Sequence, residues 1–177
     1  MSDGVVSLRH FTMRDVKGHL AGEDVEQVRW VSGGVGTVDT VTRMVERARE
    51  NWANGGPRIT LALEDPTGAL IGFVESNTDH EGFVGHDRGD ANVSYGLYAP
   101  ARGKGFASRG VTLMEGFLRG RGVRRAVIRV EPANERSLAV PRRLGYVERG
   151  HVEDPDGTTH LLFFKELSSG GEHPSSA

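Results

Sequence analysis

Apolar positions along this chain recur with two periods, and the switches between them outline the fold. Segments 5–11, 58–64, 69–76, 92–98, 125–130, 146–152 and 159–167 are short, β-prone and bounded by Gly, Pro, Asn or Asp, as strands are. Between them the period lengthens. Val41, Met44, Val45, Ala48 and Trp52 fall on one helical face, with Thr37 or Asp39 placed to cap it and Asn54-Gly55-Gly56-Pro57 placed to end it. Val111, Met114, Phe117 and Leu118 repeat the spacing in a helix starting near Phe106. Shorter helices are expected over 23–30 and after Asn134, the second bent or shortened by Pro141. Asp65-Pro66-Thr67-Gly68 reads as the turn of an antiparallel hairpin, and Ser32-Gly33-Gly34-Val35-Gly36 as a plain flexible turn. The order predicts an α/β (α+β) fold: a mostly antiparallel sheet flanked by helices, with a parallel strand pair around the helix that begins near Phe106.

Composition narrows the class. A chain of 177 residues with 37% hydrophobic and 26% charged residues suits one globular domain, expected over 1–167, with a Gly/Ser-rich tail at 168–177 expected to be disordered. The absence of cysteine removes disulfides, thiolate metal sites and a Cys nucleophile. His80, His86, Asp87 and Asp90 lie in a polar loop without metal-ligand spacing, so no metal is expected. No apolar run is long enough for a membrane span and the N-terminus has no leader pattern, so a cytoplasmic protein with no membrane partner is expected.

The net charge of −2 conceals a division. Residues 102–149 hold 12 Lys+Arg against 4 Asp+Glu, and the rest of the chain holds 10 against 20. Solvated helix faces account for this as well as a basic half for a phosphorylated ligand and an acidic half for a cationic one. Neither stacked aromatics nor a groove helix accompanies the arginines, so nucleic acid is not expected.

The stretch that concentrates chemistry is Pro100-Ala101-Arg102-Gly103-Lys104-Gly105-Phe106-Ala107-Ser108, between a strand and a helix. Its glycines let backbone approach a ligand, the helix start offers unpaired N–H groups, and Arg102 and Lys104 add charge: an anion site. Arg102-Gly103-Lys104-Gly105-Phe106-Ala107 resembles the acetyl-CoA motif of the GCN5-related N-acetyltransferases. Glu131-Pro132-Ala133-Asn134-Glu135-Arg136-Ser137 and Arg143-Leu144-Gly145-Tyr146 follow at that family's distance, most like its ribosomal-protein N-terminal acetyltransferases.

The resemblance implies that backbone N–H groups of Gly103, Lys104, Gly105, Phe106 and Ala107 hold the pyrophosphate of acetyl-CoA, helped by Arg102 or Lys104. It implies that pantetheine lies where two parallel strands splay, that a backbone N–H near Leu97 or Tyr98 serves the oxyanion, and that Asn134 lies near the transfer site. Asn134 is equally a helix cap. The family's usual acid, a Tyr seven residues after the Asn, is here Pro141, and the subgroup's Ser three residues on is Ser137, which would bond the sulfur. A Glu that some relatives carry in the preceding strand is here Asn92, so Glu75 is the first candidate base and Asp90 the second, with Tyr95 a donor in the same cleft. The implied activity is acetyl transfer to a primary amine by direct attack in a ternary complex. The acceptor would be a peptide or protein N-terminus or a small amine such as a polyamine or aminoglycoside; a homodimer is compatible with this. The alternative is a non-catalytic acyl-CoA sensor or scaffold of the same fold.

Overall fold

The computed structural model describes residues 1–167, so the expectation for the tail at 168–177 lies outside the described residues. Seven strands form, β1 (Ser7–His10), β2 (Arg58–Glu64), β3 (Leu70–Asn77), β4 (Asp90–Leu97), β5 (Arg125–Val130), β6 (Val147–Glu153) and β7 (Thr159–Glu166). They make one sheet in the order β1-β2-β3-β4-β5-β7-β6, with every neighbouring pair antiparallel except β4 and β5.

The helices are α1 (Asp15–Gly22), α2 (Val25–Gln27) running into a π-helical turn (Val28–Ser32), α3 (Val38–Asn54), α4 (Phe106–Gly120) and α5 (Glu135–Arg143). Thr37, rather than Asp39, caps α3, in a reciprocal box with Thr40. Alternation of side chains across the strands splits the core. Leu61, Leu63, Val74, Val93 and Ile128 pack with Val111, Met114 and Leu118 of α4 and with Leu138 and Val140 of α5. On the opposite face Ala62 packs with Phe11, Val16, Val41 and Val45 under α1 and α3.

Helix α1 has no counterpart in the sequence pattern. Only Val16 supplies a buried apolar residue there, the other buried positions being Asp15 and His19. Gly22 is a spacer: a Cβ there would lie 2.4 Å from the Tyr98 ring. Asp15 instead anchors α1 to the sheet edge, receiving Arg9 at 2.7 and 2.8 Å.

The parallel pair is joined only at Asp90↔Arg125, Ala91↔Ala126 and Asn92↔Val127. Beyond this closed end, residues 93–97 of β4 and 128–130 of β5 diverge. Asp90, 1% exposed, fastens the end by accepting from Arg125 Nε at 2.9 Å and Nη2 at 2.6 Å.

Candidate active site

The Gly-rich loop follows the splayed end of β4. Gly103 and Gly105 have φ of +75° and +79°, a left-handed backbone that favours glycine, and Gly105 is the N-cap of α4 without a side-chain cap. Among the described residues, no protein acceptor serves the N–H groups of residues 103–107. They form a nest of free donors at a helix start.

Arg102 is already engaged. Its Nε donates to the Leu97 carbonyl at 2.9 Å, and its fork holds Asp24 at 2.6 and 2.8 Å and reaches Glu26 at 3.4 Å. From the other bank, Arg136 of α5 holds Glu26 at 2.9 and 3.1 Å. The short α2 is thus strapped across the cleft by ion pairs at both sides. Asp24, through the Arg102 hydrogen bond foremost and the Gln27 N–H it caps, has its pKa held down to about 2.

Two cavities meet under this strap. One, of about 620 Å³, runs beside Leu97, Arg102, Gly103, Gly105 and Ala107 to Asn134 and α5. The other, of about 370 Å³, lies among Arg58, Thr60, Phe73, Glu75, Ser94, Arg129, Glu131 and His160. Gln27, Trp30, Val31, Tyr95, Asn134 and Ser137 line both. A donor entering along the first cavity and an acceptor entering through the second would meet at these side chains.

Tyr95 and Ser137 are brought together there. The Tyr95 hydroxyl donates to the Ser137 carbonyl at 3.0 Å and lies 3.0 Å from its Oγ. Pro141 explains the first contact. Having no N–H, it cannot serve the carbonyl four residues back, and Tyr95 supplies the missing donor. Pro141 sits inside α5, which continues to Arg143. Asn134 caps α5, accepting the Ser137 N–H at 3.2 Å. Burial pushes the Tyr95 pKa up to about 12. It therefore stays protonated at neutral pH. Protonating a thiolate whose acid has a pKa near 8.5 from a group near 12 would cost roughly 5 kcal/mol, so Tyr95 can donate a hydrogen bond but not give up its proton. With the Tyr95 proton on the Ser137 carbonyl, Ser137 Oγ keeps its own proton to donate, to the Tyr95 oxygen or into the cavities it lines.

Other sequence candidates are placed differently. The Tyr98 N–H donates to the Ile71 carbonyl at 2.9 Å, and its ring is buried against α1, hydroxyl 2.8 Å from His19 Nδ1. Since hydrogen-bonding direction alternates along β4, the N–H groups of Val93, Tyr95 and Leu97 face the gap. Of the two, only the Leu97 N–H faces the gap; that of Tyr98 is spent on Ile71. Lys104 is exposed and Phe106 packs on the core; neither side chain lines the cavities. Glu75 lines the second cavity, bonded by Thr60 Oγ1 at 2.6 Å with Arg58 at 3.5 Å. Paired with Ser94, it faces the opposite side of the sheet from Tyr95. Asp90, the second candidate base, lies at the closed end of the parallel pair, bonded to Arg125 and away from both cavities.

Sequence reasoning passed over Gln27, Trp30, His19 and Arg129. A lone Trp beside a Gly-rich turn was the only available signal among them. His19 lines the second cavity, and burial lowers its pKa, keeping the ring neutral at pH 7. That cavity is not acidic overall, because Glu75 and Glu131 are matched by Arg58 and Arg129. Among the described residues no group of three or more His, Cys, Asp or Glu is arranged to hold a metal ion, and no helix is long and apolar enough to cross a membrane.

The fold is shared with solved acetyltransferases. The microcin C7 self-immunity acetyltransferase MccE, solved with acetyl-CoA and AMP, superposes with a TM-score of 0.77 at 18% identity, covering 93% of each chain. The aminoglycoside acetyltransferase AAC(6')-Ib, with paromomycin and acetyl-CoA, gives 0.76 at 20% identity over 98% of this chain and 99% of that one. RimL, a ribosomal-protein alpha-N acetyltransferase solved with coenzyme A, gives 0.72 at 17% identity over 92% and 94%. At such identities the likeness is one of fold. Among curated proteins none matches in sequence. The acetyltransferase (GNAT) domain model, however, matches residues 6–147, most of the sheet together with the Gly-rich loop and the Tyr95–Ser137 junction, and the chain belongs to the GNAT family of acetyltransferases.

Proposed function

We propose that this protein transfers the acetyl group of acetyl-CoA to a primary amine by direct attack in a ternary complex. The observation that carries the reading is the meeting of two cavities at Tyr95 and Ser137, one leading to the N–H nest of the Gly-rich loop. Gly103, Gly105 and Ala107 would hold the pyrophosphate through backbone N–H groups, with the α4 dipole behind them. The splayed edges of β4 and β5 would pair with pantetheine amides. As the amine nitrogen bonds to the carbonyl carbon, the carbonyl pair moves to oxygen, facing the Leu97 N–H. On collapse the C–S bond breaks, its electron pair leaves on sulfur beside Ser137 Oγ, and the amine proton passes through water to Glu75.

The acceptor cavity favours one class of amine. Its walls include Trp30, Val31, Met44, Phe73 and Val93, and its charges balance, which suits an amine on an apolar body better than a polycation. An α-amine, with a pKa of about 8, also sheds its proton more readily than a lysine-like amine near 10.4. Peptide or protein N-termini and small apolar amines therefore rank ahead of polyamines and aminoglycosides. Thiol release from acetyl-CoA, measured across such a panel, tests this. Turnover with N-terminal peptides blocked by prior formylation would contradict it, as would thiol release with no amine of the panel.

The strap makes a separate prediction. Because the Arg102 fork is held by Asp24, a bound pyrophosphate must compete for it. Asp24→Asn keeps the helix cap and removes the charge. It is expected to tighten acetyl-CoA binding by roughly 2- to 5-fold at low salt, the factor for a partly exposed pair worth about 0.4–1 kcal/mol. Calorimetric titration checks this, unchanged affinity being the contrary result. The folded-state pKa of Asp24 is depressed, so its contribution to holding α2 is complete above the unfolded value of 3.8 and is lost as pH falls through about 2.

A further inference from the structure

One polar side chain at the junction has no use in the fold. Gln27 is 3% exposed, yet among the described residues its carboxamide has no hydrogen-bond partner. Its backbone is satisfied, the N–H donating to Asp24 Oδ1 at 2.9 Å. The amide lines both cavities, so a ligand entering either one meets it.

Its location narrows which group. A Cβ built on Gly96 would lie 2.7 Å from Gln27 Nε2 and 2.8 Å from a carbon of the Phe73 ring. Gly96 has an unexceptional φ, so glycine is required here by space, not by backbone conformation. The space it vacates admits the amide of α2 against the backbone of β4. The next residue is Leu97, whose N–H faces the open gap. The carboxamide thus sits over the face of β4 at Gly96, one residue before the Leu97 N–H at the open edge. Asp24 and Glu26, tied to Arg102 and Arg136, hold the segment that carries Gln27 over this point.

We propose that Gln27 is a catalytic residue whose side-chain N–H donates to the thioester carbonyl oxygen of acetyl-CoA and, beside the Leu97 N–H, stabilises the tetrahedral oxyanion. The inference rests on the acetyl-transfer reading above. It gives α2 a role in catalysis: the segment strapped over the cleft delivers half of the oxyanion site.

Gln27→Glu and Gln27→Met separate donation from other roles. Glu keeps the shape and the acceptor but loses the donor, and Met keeps the volume. Both are expected to lower kcat by about 100-fold or more, with the dissociation constant of acetyl-CoA changed by less than about 5-fold. A second readout needs no acceptor. Acetyl-CoA labelled with ¹³C at the thioester carbonyl should show, on binding, a carbonyl stretch shifted to lower frequency by difference infrared spectroscopy. That shift should shrink in Gln27→Met. Gly96→Ala, which displaces the amide while leaving Gln27 in place, should reproduce both effects. Retained kcat in Gln27→Glu with loss in Gln27→Met would overturn the proposal, indicating an acceptor for the amine. An unchanged carbonyl stretch in Gln27→Met would overturn it whether or not an acceptor amine is known. A wild-type protein that binds acetyl-CoA with a shifted stretch but releases no thiol with any amine would refute the transfer reading alone.

Discussion

Gly105→Glu is expected to abolish measurable acetyl-CoA binding, a loss of more than about 100-fold, while leaving the protein folded. Two effects add. A non-glycine residue at φ +79° carries strain of about 1–2 kcal/mol, and a carboxylate enters a site built from unpaired N–H donors and a helix start. Folding should survive because a Cβ at this position meets nothing within 4 Å. Gly105→Ala isolates the strain term and should weaken binding by no more than about 10-fold. Calorimetric titration, with a thermal melt of each variant, distinguishes them; wild-type affinity in Gly105→Glu would remove the loop from the donor site.

The second large effect concerns the Tyr95–Ser137 pair. Ser137→Ala removes the Oγ without disturbing the Asn134 cap, which uses the backbone N–H. Its kcat should fall by about 10- to 100-fold, with acetyl-CoA affinity and melting temperature unchanged. Tyr95→Phe should lower kcat similarly but also destabilise the fold by about 1–3 kcal/mol. It strands the Ser137 carbonyl, which Pro141 cannot serve. The double variant should be little slower than the worse single one, since the two hydroxyls act as a unit. Additive losses in kcat would mean that each acts alone. A melting temperature for Tyr95→Phe equal to that of wild type would deny Pro141 its part.

Helix α3 and the Gly-rich loop were open to reading from the sequence because each is governed locally. Val41, Val45 and Ala48 share a face by spacing alone, and Gly103 and Gly105 announce a positive φ. Helix α1 was not, since its buried positions are mostly polar: Asp15 is taken up by Arg9 of the neighbouring strand β1, and His19 by Tyr98, 79 positions along the chain. Glu75 and Tyr95 were both visible as candidates, but their opposite faces depend on strand register, which a shift of one residue would invert. Arg102 reads as a free cation in the motif, and its engagement by Asp24 depends on a contact between residues 78 positions apart.

The sequence by itself determined the seven strands, the Gly-rich loop at the start of α4 and the Asn134 cap of α5, because period, turn chemistry and short spacings are local properties of the chain. Tertiary structure alone decided what surrounds the reacting point. The gap between β4 and β5 opens after three paired residues, Pro141 directs Tyr95 to Ser137, and α2 is lashed across both banks with Gln27 beneath it. Each of these depends on side chains from distant segments competing for the same donors and acceptors, and that competition is settled only when the chain has folded.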